Sequence, residues 1–348
     1  MRGPLLKVES LTKHYPLSRG FSMKTIPVVR AVEDVSFSLD AGETLGIVGE
    51  SGCGKSTVAR LLMRLVEPTA GRVLIDGTDV AGLRRHALRD WRRRMQMVFQ
   101  DPYSSLNPRL TAGQIITEPA ENFERLSRKQ HHALAADLLR KVGMPSEIMD
   151  RIPSELSGGQ RQRLGIARAL ALKPSLIIAD EAVSALDVSV QAQILNLLMD
   201  LQQQIGIAFV FISHDLSVVE HISHRVAVMY LGRIVELSPC EALFSNPVHP
   251  YTEALIAAAP IPDPTRARLK VPVEGEVPSL VNPPSGCAFH PRCALAVERC
   301  RIEVPSLVPT AVGRLVACHV RAPGTEASPQ RLEAISQFTR GAKPQPPT

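Results

Sequence analysis

No stretch of this 348-residue chain approaches the roughly 20 apolar residues that a bilayer span needs. The longest candidate, Ile205 to Ser213, is only strand-sized. The start, Met1-Arg2-Gly3-Pro4, lacks the apolar core of a secretory signal. These absences predict a soluble, cytosolic chain. Aromatic residues make up 4% of the sequence, which leaves little surface for stacking single-stranded nucleic acid. No C-x2-C pair occurs among the six cysteines, so the common zinc-ribbon spacing is missing. A cytosolic setting also argues against disulfides. No internal repeat is visible.

Hydrophobic residues reach 45%, enough for a sizeable core. The length suggests one large domain with something smaller, or two domains. The net charge of +6 is compatible with nucleic acid or an anionic membrane face. The densest basic run, Arg84 to Arg94, has helical spacing and reads first as a solvated helix face, with lipid headgroups or a partner as the alternatives.

The most specific feature is Gly49-Glu50-Ser51-Gly52-Cys53-Gly54-Lys55-Ser56-Thr57, a phosphate loop of pattern G-x-x-x-x-G-K-[ST]. Its glycines let backbone N–H groups turn inward around phosphate oxygens. Lys55 is placed to reach the β/γ-phosphates and Ser56 to offer its hydroxyl to Mg²⁺. Thr44 to Val48 reads as a buried strand before the loop, and Val58 to Met63 as helix after it, so bound phosphate would sit at a helix N-terminus.

Strand-like and helical runs alternate from Leu5 to about Glu236, the pattern of an α/β domain. Val35 to Leu39 alternates with period two, Val73-Leu74-Ile75 ends in the turn signal Asp76-Gly77, and Met95 to Phe99 is a further strand. Residues from about 112 to 142 read as helical. Leu176 to Ala179 and Ile207 to Ile212 are continuous apolar runs that suit parallel strands. After Pro239 the composition changes: Pro260, Pro262, Pro264, Pro272, Pro278, Pro283 and Pro284 exclude a long helix. A cysteine cluster follows, and the proline-rich tail from Ala322 to Thr348 is expected to be disordered.

The strand Leu176 to Ala179 ends in Asp180-Glu181. Downstream of a phosphate loop, Asp180 reads as a magnesium ligand and Glu181 as the group that polarises the attacking water. Leu156-Ser157-Gly158-Gly159-Gln160 opens a helix to about Leu172, with Ser157 as N-cap. From the residues alone, an anion site and an ordinary capped helix start remain equally open.

Leu156 to Gln160 resembles the signature motif of the ABC transporter ATPases. Other family stations fall in order. Tyr15 resembles the aromatic that stacks on adenine. Gln100 resembles the glutamine that senses Mg²⁺ and the attacking water. Ser184-Ala185-Leu186-Asp187 resembles the loop that crosses between protomers, and His214 the histidine at the γ-phosphate. Ala182 departs from the usual proline, which would loosen the turn holding Glu181 without removing a ligand. Asp101-Pro102-Tyr103-Ser104-Ser105-Leu106-Asn107-Pro108-Arg109 and Asn246 to Thr252 are similar to the dipeptide/oligopeptide importer branch, over about residues 5 to 320.

The resemblance implies a P-loop ABC ATPase fold: a RecA-like α/β core, an antiparallel β subdomain and an inserted helical subdomain. The nucleotide-binding domain would span 1–238, with the helical subdomain at about 101–156 docking on transmembrane subunits and Gln100 at its hinge. A C-terminal extension would span 239–321, with a tail at 322–348. ATP and Mg²⁺ are the implied cofactors. Glu181, His214 and Gln100 would be catalytic. The phosphate loop and Tyr15 would bind ATP, with Ser157, Gly158, Gly159, Gln160 and Asp187 acting across a dimer. Ser56, Gln100 and Asp180 would serve Mg²⁺.

The implied partners are a paralogous ATPase (heterodimer, or else a homodimer), two transmembrane permease subunits and a periplasmic or extracellular solute-binding protein. Nucleic acid is not among them, and the chain would sit at the cytoplasmic face of the plasma membrane. The implied solute is a dipeptide or oligopeptide, with nickel, glutathione or another peptide-like compound as the alternative. Cys287, Cys293, Cys300 and Cys318 suit iron–sulfur or zinc by softness, and the resemblance implies a [4Fe-4S] cluster. DNA-bound family members would need a long coiled-coil insertion between Lys55 and Ser157, and ribosomal ones a second phosphate loop. Neither is present.

Overall fold

The computed structural model describes residues 3–17, 27–101, 105–259, 275–310 and 314–322. The chain divides into two compact units, Met1–Asp40 with Leu45–Gly82 and His214–Thr348, and Ala41–Thr44 with Leu83–Ser213.

In the first unit an antiparallel sheet runs in the order Val28–Leu39, Leu6–Pro16, Ala70–Ile75, Thr78–Asp79. Its last two strands are joined through Asp76 and Gly77, both at positive φ (46° and 77°), as a tight hairpin with the right twist requires. Strand Thr44–Val48, buried throughout, pairs in parallel with Arg225–Tyr230 from Leu45 on. That strand pairs antiparallel with Arg233–Pro239, which in turn accepts Leu315–Val316 as a neighbour.

The extension is therefore built onto the same unit as the phosphate loop. Its anchor is a fully buried ion pair, Arg314 Nη1 to Glu236 Oε1 at 3.5 Å, with side-chain exposures of 1% and 0%. Glu236 also accepts the N–H groups of Val248 (3.1 Å) and His249 (2.8 Å). Prolines 278, 283 and 284 lie in helix-free backbone, whereas 260, 262, 264 and 272 lie outside the described residues. So does the tail beyond Ala322.

The second unit holds three parallel strands, Met95–Val98, Leu176–Asp180 and Ala208–Ile212, in that spatial order. The last two are buried at every position, which accounts for their unbroken apolar sequence. The expected helix at about 112–142 is two helices, Ala112–Glu121 and Arg128–Lys141. The break has a local cause. Ser127 and Gln130 form a reciprocal capping box that starts a new helix, as Thr111 and Gln114 start the first. The basic run forms the helix Arg85–Arg94. Among the described residues no helix is long and apolar enough to cross a membrane.

Candidate functional site

The phosphate loop leads into helix Lys55–Leu62. Gly54 is its N-cap at φ 107°, and a Cβ there would stand 2.1 Å from the Ala31 carbonyl oxygen, so only glycine fits. Lys55 is 5% exposed. Its ammonium folds back over the loop and donates to the carbonyls of Gly49 (2.7 Å) and Glu50 (3.0 Å). Cys53 is buried, and burial pushes its thiol up. Ser51 and Gly52 face solvent, while Ser56 and Thr57 are half-buried. Tyr15, on strand Leu6–Pro16, is half-buried with the Lys13 ammonium 5.0 Å from its ring centre.

In the second unit Asp180 ends its strand 8% exposed. Glu181 follows at φ 50°, a left-handed conformation that costs a non-glycine residue free energy and that tertiary contacts must hold. Its N–H donates to the Ile212 carbonyl at 2.9 Å. Its carbonyl accepts from both the N–H (3.2 Å) and the hydroxyl (3.0 Å) of Ser184. Ala182 is therefore compatible with a closed turn. The Gln100 amide donates to Glu181 Oε2 at 2.8 Å, so two of the expected reacting groups touch.

Ser157 caps helix Gly158–Leu170 in a complete capping box with Gln160. A Cβ on Gly159 would meet Val190 Cγ1 at 2.5 Å. Asp187 is exposed and is the N-cap position of helix Val188–Ile205. His214, in the first unit, is exposed and precedes Asp215, which caps helix Leu216–Ile222.

Two residues that the motifs did not identify reach the phosphate loop. Tyr251 Oη accepts the Glu50 N–H at 2.9 Å. Arg292 grips the Glu50 carboxylate through both terminal nitrogens, at 3.0–3.2 Å. Tyr251 lay inside the Asn246 to Thr252 motif, but nothing local in the sequence marks either contact.

All six cysteines are free thiols. Burial pushes the Cys287 thiol up to about 11 and raises that of Cys293, and in both cases the other cluster thiols add to the shift. The Cys287 N–H donates to the Cys300 carbonyl at 2.8 Å, which ties the backbone of the first cluster cysteine to that of the third. The expected four-thiolate ligand set is nevertheless not formed. Among the described residues, no group of three or more His, Cys, Asp or Glu side chains is arranged to hold a metal ion.

A phosphate loop between strand and helix, an acidic strand end and a capped Gly-Gly helix start define a P-loop ATPase of the ATP-binding-cassette class. Residues 32–184 match the ABC transporter family, and residues 235–300 match the oligopeptide/dipeptide transporter C-terminal region. The chain is 78% identical over 338 residues to a probable peptide ABC transporter ATP-binding protein of Sinorhizobium fredii, covering 97% of this chain and 96% of that one. It is 48% identical to an oligopeptide transport ATP-binding protein of Bacillus subtilis, covering 91% and 97%. Among solved structures, a dimeric ATP-binding cassette in a post-hydrolysis state, bound to ADP and phosphate, superposes with a TM-score of 0.60 at 30% identity, covering 68% and 98%. The chain belongs to the ATP-binding proteins of the oligopeptide/dipeptide ABC transporter family, and it is an ATPase.

Proposed function

We propose that this ATPase energises import of dipeptides or oligopeptides as a peripheral subunit on the cytoplasmic face of the membrane. It would work there with two permease subunits and a solute-binding protein. The hydrolytic part rests on one observation, the 2.8 Å contact of Gln100 with a Glu181 carboxylate held at the end of a buried strand. The solute rests on the relatives, whose names specify peptides. Nickel, glutathione or another peptide-like compound is the weaker reading, because the relatives' names reported above specify peptides.

In this reading the phosphate loop holds the phosphates, Tyr15 stacks on adenine and His214 contacts the γ-phosphate. Ser56 and Asp180 offer hard oxygen donors, the type that suits Mg²⁺. The metal's part is to offset charge on the phosphates. Glu181, steadied by Gln100, orients the attacking water and takes up its proton. Ser157, Gly158, Gly159, Gln160 and Asp187 complete the site of a partner ATPase. A paralogous chain is the preferred partner and a second copy the alternative. Binding then favours the closed pair and hydrolysis releases it.

Glu181→Gln keeps the shape and removes the base. It should bind ATP, accumulate as a closed pair and turn over about 10²–10⁴ more slowly, or roughly 3–5 kcal/mol of barrier. Undiminished turnover would remove Glu181 from the reaction.

Cys287, Cys293, Cys300 and Cys318 are the residues that would hold a [4Fe-4S] cluster, with zinc as the alternative. Four soft sulfur donors within residues 287–318 are the support for a shared ligand set. Iron in the purified protein supports the cluster, zinc alone overturns the iron assignment, and neither metal overturns both.

A further inference from the structure

We propose that Arg292 and Tyr251 are positioning residues for the nucleotide, bracing the phosphate loop through Glu50. The inference rests on the reading of residues 49–57 as the ATP-phosphate site. Glu50 is held on three sides. Its N–H donates to Tyr251 Oη at 2.9 Å, its carbonyl accepts Lys55 Nζ at 3.0 Å, and its carboxylate takes a two-nitrogen grip from Arg292. The peptide plane before Glu50 is thereby held from outside the loop by Tyr251, the one after it by Lys55 within the loop, and the side chain between them by Arg292. A phosphate cradle depends on the direction of its backbone N–H groups, so a brace that sets those planes sets the cradle.

The brace is rigid. Arg292 is 11% exposed and also donates to Tyr230 Oη at 3.4 Å. It closes the short helical turn His290–Arg292, which follows Phe289. Phe289 is buried against Tyr230, Tyr251 and His249, with ring centres 5.3, 5.5 and 5.8 Å away. The planar guanidinium fork matches a carboxylate in a way that a lysine ammonium does not. Residues 251 and 292 both lie in the stretch 235–300 that matches the transporter C-terminal region, while Glu50 lies in the general cassette. A branch-specific segment thus reaches into a loop that carries the chemistry.

The test is steady-state ATPase kinetics on the full chain with MgATP, beside a melting curve for each variant. Arg292→Ala should raise KM for ATP about five- to thirty-fold, the factor that one to two kcal/mol commands, with kcat at saturation near wild type. Arg292→Lys should fall between the two. Glu50→Gln, which tests the contact from the loop side if the arginine variant fails to fold, should raise KM as well. The swap Glu50→Arg with Arg292→Glu should recover part of the loss.

Arg299→Ala removes an exposed pair with Glu303 elsewhere in the extension and should leave KM unchanged. A lower melting temperature with KM unmoved in both Arg292→Ala and Glu50→Gln would reduce the contact to a fold anchor and overturn the inference. An equal KM rise in Arg299→Ala would overturn it too. If instead Lys55→Ala binds ATP as well as wild type, the phosphate-site reading itself fails.

Discussion

Replacing Arg314 by methionine keeps most of the side-chain volume and removes its charge. Glu236 is then left as a carboxylate with no exposed surface and no cation, retaining only its bonds from the Val248 and His249 amides. Arg314 also donates to the carbonyls of Asn246 and Ala242, which would lose a donor. Breaking one side of a buried ion pair costs about 3–5 kcal/mol, more than the pair's net contribution, because an uncompensated charge stays inside. At about 2 °C per kcal/mol for a chain of this size, the melting temperature should fall by roughly 6–10 °C. Adding Glu236→Gln removes the stranded charge but keeps an oxygen for the two amides, so the double variant should be more stable than the single one. Differential scanning calorimetry and urea titration measure both. A single variant within about 1 kcal/mol of wild type, or a double variant no better than the single, would refute the argument.

Gly159→Ala should impair ATPase activity and cost about 1–3 kcal/mol of stability, since the new methyl collides with Val190. Val190→Ala in the same chain should restore the lost stability, and failure of that rescue counts against steric crowding as the cause. His249 is buried, which lowers its imidazole to about 3 from an ordinary 6.5, with its ring accepting the Tyr251 N–H at 3.0 Å. The folded state thus refuses a proton that the unfolded chain takes up below about 6.5, so this contribution is intact above that pH and lost as pH falls towards 3. The stability advantage of wild type over His249→Gln should therefore shrink between pH 7 and pH 4, by roughly 1–3 kcal/mol. A gap independent of pH would contradict it.

The elements visible in the sequence are those whose cause is local. The phosphate loop announces itself because glycine is demanded at fixed offsets, and Gly54 shows why. Asp76-Gly77 and Ser157 with Gln160 are likewise short-range devices, a turn and a cap, readable within four residues. The apolar runs at Leu176 to Ala179 and Ile207 to Ile212 identify buried parallel strands directly. What stayed hidden depends on distance along the chain. The contacts of Glu50 with Tyr251 and Arg292 span 201 and 242 positions, and no spacing rule reaches so far. The left-handed backbone at Glu181 is equally silent, because its support comes from Ser184 and the Ile212 carbonyl rather than from a glycine or proline. The gap between the helices at 122–127 was masked by helix-forming residues on both sides, although Ser127 and Gln130 carry the capping pattern. The four cysteines invited a metal centre by number and softness, yet count alone does not fix convergence.

In the proposed mechanism each chain supplies only part of a reaction centre. The direct test is specific ATPase activity of the purified chain as a function of its concentration, alone and with the paired ATPase subunit added, with association followed in parallel. Turnover per chain should vanish at dilutions where the chain is monomeric and rise with the fraction paired. Full-speed hydrolysis by the dilute monomer would contradict it.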